Sequence, residues 1–116
     1  MKIMSRIRSR PLPLLGLLLV SQVGLITACT SQLQRLKDTK QCSECDLRKA
    51  DLRGLDLQGA NLQAADLKFT NLAGAQLEGA NLGFADLTDA KISEEQLQQA
   101  LLCSTTLPDG SKSKNC

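Results

Sequence analysis

A leucine recurs every five residues through the middle of the chain and constrains its fold more than any other feature. The series has ten members, the last of which is isoleucine: Leu47, Leu52, Leu57, Leu62, Leu67, Leu72, Leu77, Leu82, Leu87 and Ile92. On an α-helix, each step of five turns the side chain by a net angle of about 140°, so the leucines would share no face. On a straight strand, an odd step places successive leucines on opposite faces. A long helix and a flat sheet are both excluded.

The residues before each leucine indicate how the chain turns. Alanine lies two positions earlier in seven of the ten repeats, and Asp or Asn lies one position earlier in eight of them. This pattern predicts a corner in every repeat, with the leucine and the small residue pointing inward and the Asp or Asn outward. If four sides close one coil, the chain returns onto itself at a spacing of about 4.8 Å. Residues 45–94 would form about two and a half coils, with capped ends.

The repeats resemble those of the pentapeptide-repeat family, whose pattern is A-[DN]-L-x-x. Three segments carry the resemblance most clearly, namely 60–64 (ANLQA), 65–69 (ADLKF) and 80–84 (ANLGF). The resemblance implies an all-β fold, a right-handed quadrilateral parallel β-helix, with short helical caps. Leu55 and Thr70 replace the usual alanine, and we expect local bulging or repacking there.

The first 28 residues have the three parts of a secretory signal peptide, which are a basic stretch, an apolar run over 12–28 and small residues at its end. The sequence LITAC over residues 25–29 resembles the lipobox of bacterial lipoproteins, which implies that Cys29 is acylated. Ordinary cleavage after Ala28, or an uncleaved anchor, are the alternatives. Each alternative places residues 30–116 outside the cytoplasm, and we expect a membrane-anchored lipoprotein that faces the periplasm, the thylakoid lumen or the cell exterior.

The two ends of the repeat region carry signals of their own. Residues 29–41 form a tether or a short N-terminal cap helix before the β-helix of 42–94. Ser93 and Gln96 form a capping box and predict a helix from about residue 94 to 102, so residues 95–116 are expected to hold a C-terminal cap helix and a pinned tail. The stretch 103–110 is similar to the tails of exported cyanobacterial members of the family.

Four cysteines remain after Cys29. Cys42 occupies the leucine register and Cys45 the alanine register, so both should point into the first coil. Cys103 and Cys116 lie at the far end, about 10 Å away by the strand spacing, which exceeds the usual limit of about 7 Å between the Cα atoms of a disulfide. We therefore expect Cys103 to pair with Cys116 and Cys42 with Cys45, although the latter two could also be buried thiols.

Several function classes find no support. Residues 29–116 hold ten Lys or Arg against twelve Asp or Glu, so they lack the basic excess that nucleic-acid binding requires. The chain has no histidine, its cysteines lie at opposite ends, and we expect no metal. No catalytic residues, cofactor or small-molecule substrate are evident, and the Asp residues are interpreted as the outward polar position of the repeat.

The sequence favours a non-enzymatic, membrane-tethered structural or interaction module with an unidentified protein partner. The alternative is a redox or stress accessory protein that acts through Cys42 and Cys45. Phe69 and Phe84 are the only aromatic residues. They could form a docking patch, but we expect them to pack at corners.

Overall fold

The computed structural model describes residues 31–114 and 116. Cys29 and the segment interpreted as a signal peptide lie outside the described residues. The described helices are α1 (Ser31–Thr39) and α2 (Glu94–Gln99). Between and after the helices, the backbone pairs through isolated one-residue β-bridges, which together form a ladder. Within the described residues no run of bridges forms a longer strand.

The ladder shows a coil of four sides. Each parallel bridge joins residues that are twenty apart, starting with Gln41 and Asn61, and bridges recur every five residues. The backbone N–H of Leu52 donates to Asn71 O at 2.9 Å, and that of Asn71 donates to Ala50 O at 3.1 Å. Four short sides therefore close each coil, and every coil stacks on the one before it.

The four sides are named by their bridging residues. Side 1 contains Gln41, Asn61, Asn81 and Leu101, and side 2 contains Asp46, Asp66, Asp86 and Thr106. Side 3 contains Asp51, Asn71 and Lys91, and side 4 contains Asp56 and Gln76.

The outward Asp or Asn residues help to form the corners. The Oδ1 atom of Asn61 accepts a hydrogen bond from Gln63 N at 3.1 Å, and Asp66 makes the same bond to Lys68 N at 3.2 Å. Such a side chain binds a backbone N–H two residues on and favours a turn. The repeat therefore selects Asp and Asn among polar residues because they satisfy the corner amide.

The core follows the predicted register. The leucines from Leu47 to Leu87 are buried, as are most of the alanines two positions before them. Thr70 is buried as well, and its hydroxyl donates to Leu67 O at 2.7 Å. The ladder continues without a bulge past Leu55 and Thr70, because the partly buried leucine and the internally bonded threonine both fit the small inward position.

Helix α1 covers the N-terminal end of the coil. Leu36 is fully buried and Leu33 packs against the core. Lys40 adopts a left-handed conformation (φ 58°) directly after the helix, and its N–H still donates to Leu36 O. The Gln32 side chain accepts a hydrogen bond from Asp46 N, so the helix also satisfies a backbone group of the first coil.

The coil does not end where α2 begins. Ser93 caps α2 through the predicted capping box, and the helix ends at Gln99, since Ala100 is extended (φ −89°, ψ 159°). The chain then rejoins the ladder through Leu101 on side 1 and Thr106 on side 2. Helix α2 thus occupies the fourth side of the third coil, and the coil extends beyond residue 94.

The last residues fold back over the end of the coil. Residues 107–111 form a turn in which Gly110 N donates to Leu107 O, and Lys112 pairs with Thr106 in an antiparallel bridge. This segment, residues 107–114 together with Cys116, is called the tail below. The tail covers the edge of side 2.

Candidate interaction surface and disulfides

Side 2 differs from the other sides in the side chains at its two corners. The corner that precedes it holds Glu44, Ala64, Phe84 and Ser104, and the corner that follows it holds Lys49, Phe69 and Asp89. The two corners of side 4 hold glycine instead, namely Gly54, Gly59, Gly74 and Gly79. Side 2 is therefore bordered by side chains and side 4 by bare backbone.

Phe69 and Phe84 lie on opposite borders of side 2, one coil apart. Their φ angles are 60° and 59°, in the left-handed region that disfavours residues with a Cβ atom. Their exposed fractions are 54% and 58%. They occupy corners, as the sequence suggested, but the expectation that they pack there is wrong, because a left-handed corner directs the side chain away from the core.

Ion pairs connect the first two coils along side 2. Arg48 Nη2 lies 2.8 Å from Asp46 Oδ2, and Arg48 Nε lies 3.6 Å from Asp66 Oδ2. Lys68 also approaches Asp66 at 3.6 Å. The hydrogen bond from the Arg48 side chain lowers the pKa of Asp46. The part of side 2 that the first two coils form is therefore close to neutral in charge.

Asp86 lies on side 2 one coil after Asp66. The hydroxyl of Thr88 donates to Asp86 Oδ1 and is the main cause of the lowered pKa of Asp86. Within the described part of the chain, no Lys or Arg nitrogen lies within salt-bridge distance of Asp86. Its negative charge stands beside the exposed Phe84.

The structure pairs Cys42 with Cys45 beneath α1. The two residues are 0% and 3% exposed, and both point into the first coil as their registers predicted. The Arg35 guanidinium lies 3.1 Å from Cys45 Sγ. This disulfide is a covalent part of the N-terminal cap.

The structure also pairs Cys103 with Cys116, at the far end of the coil. Cys103 is half-buried and Cys116 is exposed. The bond joins the end of the tail to side 1. The two disulfides therefore differ in access, one lying inside the coil and the other at the surface.

The same residues also bear on metal binding and on membrane spanning. Within 31–114 and 116, no group of three or more potential ligands is placed to hold a metal ion. No helix among these residues is long and apolar enough to cross a membrane. The outward Asp residues are occupied with corner amides and ion pairs instead.

Sequence reasoning missed two features of these surfaces. It did not predict that both phenylalanines project into solvent, although their position two residues after a core leucine places them at a corner. It also ended the coil before Leu101 and Thr106, because a helix interrupts the repeat there. These two residues also occupy the position at which the A-[DN]-L pattern has Asp or Asn, so the pattern does not identify them.

Comparisons with known proteins found a matching family model and similar solved structures. The family model described as pentapeptide repeats, with eight copies, matches residues 41–79. A crystal structure of a pentapeptide repeat protein from the cyanobacterium Cyanothece 51142 is 21% identical, with a TM-score of 0.33, over 66% of this chain and 92% of that chain. HetL, a pentapeptide repeat protein involved in heterocyst differentiation regulation in Nostoc sp. strain PCC 7120, is 24% identical, with a TM-score of 0.28, over 63% of this chain and 51% of that chain. No curated protein matches the chain significantly.

Proposed function

Because this chain belongs to the pentapeptide-repeat family, we propose that it is a non-enzymatic interaction module that binds a protein partner through side 2. A lipid on Cys29 holds it at a membrane surface, on the side away from the cytoplasm. The family's right-handed β-helix is a rigid support for such a surface.

The observation that carries this proposal is the exposure of Phe69 and Phe84 at the two corners of side 2. A residue with a Cβ atom is disfavoured in the left-handed region by about 1 kcal/mol or more, and the corners of side 4 avoid this strain with glycine. Six other described residues with a Cβ atom share this conformation, so the exposure of the two rings, and not the strain, distinguishes them. Two large rings that are strained and more than half exposed contribute little to the core, which supports a role in binding.

The chemistry of side 2 indicates what it would bind. Aromatic side chains are enriched at the energetic centres of protein interfaces. Lys68 directly precedes Phe69 and Asp86 lies two residues after Phe84, so the surface offers apolar area together with charges of both signs. This combination suits a folded protein surface with an apolar centre and polar rim.

Site-specific photo-crosslinking tests the proposal. A photoreactive phenylalanine analogue placed at position 69 or 84 should capture one and the same protein from native membranes. The same analogue at Gly79, on a corner of side 4, is the matched control and should not capture it. Equal capture from all three positions, or none from positions 69 and 84, would overturn the assignment of side 2.

The lipid anchor has a separate test. Cys29→Ser removes the sulfur to which the lipid would be attached, and the protein should then move from the membrane fraction to the soluble fraction. Several acyl chains together make anchoring stable, since each buried methylene adds about 0.8 kcal/mol. Unchanged partition of Cys29→Ser would refute the anchor without affecting side 2.

One observation bears on the redox alternative. The positive charge of Arg35 beside Cys45 would favour a thiolate if the bond were reduced. Both sulfurs are buried, however, and thiol–disulfide exchange needs access to the attacked sulfur. Alkylation of the untreated protein discriminates the two functions: reactive thiols at Cys42 or Cys45 would support the redox function, and their absence supports a structural disulfide.

A further inference from the structure

The tail occupies the edge of the last coil as an added strand. Ser113 N donates to Thr105 O at 2.8 Å, and Leu107 N donates to Ser111 O at 2.7 Å. One coil below, the equivalent edge groups, Ala85 O and Leu87 N, bond to Thr106 of the last coil. The tail therefore takes the place of the next coil on side 2, but in the antiparallel direction.

A side-chain contact makes this edge selective. Thr105 N donates to Ser113 Oγ at 3.1 Å, so a hydroxyl oxygen of the added strand satisfies a backbone amide of the coil. Thr105 itself is fully buried, and its own hydroxyl donates to Leu82 O at 2.7 Å. The buried threonine thus fixes the position of the amide that the strand must satisfy.

The same edge continues uncovered onto side 1. Ala100 O and Leu102 N flank the bridging residue Leu101 and correspond to the ladder groups Ala80 O and Leu82 N one coil below. Within the described residues they have no hydrogen-bond partner. Leu101 is 61% exposed and borders a groove of about 910 Å³ that Leu97 and Leu107 also line. The edge is therefore longer than the strand that now covers it.

Few contacts other than the disulfide hold the tail. Its bonds to the coil are the Ser113 pair described above, a bond from Asp89 N to Pro108 O at 3.0 Å, and a 3.5 Å contact from Lys112 Nζ to Ser104 O. Cys116 is exposed, whereas the cysteines under α1 are buried. A thiol reductant can therefore reach the C-terminal disulfide in preference to the N-terminal one.

We propose that the edge of the last coil is a binding site for an extended strand with a Ser or Thr hydroxyl opposite Thr105, and that the Cys103–Cys116 disulfide keeps the chain's own tail in that site. A partner strand of this chemistry binds when the bond is open. An unpaired sheet edge is a ready template for such strand addition.

Opening the bond needs a dithiol or two monothiols as reductant. The reductant thiolate attacks Cys116 Sγ, and the sulfur of Cys103 leaves as a thiolate that takes up a proton. A second reductant thiol then displaces Cys116 from the mixed disulfide. Two electrons pass from the reductant, which becomes a disulfide, to the two cysteines, which end as thiols.

The full-length Cys116→Ser chain, alkylated at Cys103, represents the open form and needs no reductant. Hydrogen exchange should show that the amides of Leu107 and Ser113 lose protection by about tenfold or more relative to the unaltered chain, because local opening sets their exchange. The amides of Leu67 and Leu87 should keep theirs. Unchanged protection of Leu107 and Ser113 would show that the disulfide does not hold the tail and would overturn the proposal.

Binding is measured with a fluorescent peptide of residues 107–116 that carries Cys116→Ser. The peptide should bind the open chain and not the oxidised, unaltered chain. A matched peptide that also carries Ser113→Ala lacks the hydroxyl and should bind the open chain several-fold more weakly. Equal binding of the peptide to both chains, equal affinity of the two peptides, or no binding to the open chain would each refute the strand site.

Discussion

The side-chain amide of Gln96 donates to the carbonyl of Ala75 at 2.7 Å and so replaces a backbone bond of the ladder. On the coil below, the same acceptor position, Leu55 O, is bound by the backbone N–H of Gln76. Gln96 Nε2 also donates to Leu72 O at 2.7 Å, and its Oε1 accepts from Ser93 N. One residue therefore caps both α2 and the fourth side of the coil.

Gln96→Ala should lower the free energy of unfolding by about 1–3 kcal/mol, because it leaves partly buried carbonyls without a donor. Gln96→Glu should be worse, since a carboxylate would face the oxygens of Leu72 and Ala75. Urea unfolding followed by circular dichroism measures both. Gln98→Ala is the control on the exposed face of α2 and should change little. A loss no larger than that of Gln98→Ala would show that α2 caps the coil by other contacts.

Thr105→Val should destabilise the end of the coil by about 1–2 kcal/mol. The valine keeps the shape but removes the hydroxyl that donates to Leu82 O and accepts from Cys103 N. Thr105→Ser, which keeps the hydroxyl, should retain most of the stability. Thermal unfolding distinguishes them, and equal loss in the two variants would mean that packing of the methyl group, and not the hydrogen bonds, matters at this position.

Phe84→Gly should raise the stability of the protein, or leave it unchanged, while weakening capture of the partner. Glycine adopts φ 59° without steric strain, and the ring it removes is 58% exposed. Thermal unfolding and the crosslinking yield at position 69 report the two effects. A clear loss of stability would show that the ring packs on the coil and would weaken the case for side 2.

Asp51→Asn should flatten the dependence of stability on acid. The hydrogen bond from the Arg53 side chain lowers the pKa of Asp51 to about 2, below its ordinary value of 3.8. Because the folded-state pKa is depressed, the charged form contributes stability that is present above pH 3.8 and is lost as the pH falls through about 2. Because the pair is exposed, this contribution is small even at neutral pH, and it disappears as the pH falls, so the variant and the unaltered chain should converge at low pH.

Urea midpoints at pH 7, 4 and 2 measure this effect. Asn71 occupies the same position one coil above and binds its corner amide, Ala73 N, at 3.1 Å. Asp51→Asn should therefore keep the corner and lose only the Arg53 pairing. An identical acid slope in the variant and the unaltered chain would contradict the role of this ion pair.

The five-residue period was sufficient to predict the coil, the inward leucines and the outward Asp or Asn. Every repeat has the same inward and outward positions and turns the chain by the same corner, so the repeats together form a regular coil. The capping box at Ser93 was predictable as well, since its hydrogen bonds join residues three apart. The family-model match over residues 41–79 agrees with this period.

The sequence alone thus determined the repeated interior, where the five-residue pattern recurs without change and so brings equivalent residues twenty apart into register. Only the tertiary structure decided how the coil ends: Gln96 takes over a ladder bond, the chain rejoins the coil at Leu101, and Ser113 of the tail satisfies Thr105. It also decided that Phe69 and Phe84 face solvent. The contacts that end the coil join residues outside the repeat, about twenty apart for Gln96 and Leu101 and across a turn for Ser113, and no five-residue pattern encodes them once the repeat stops.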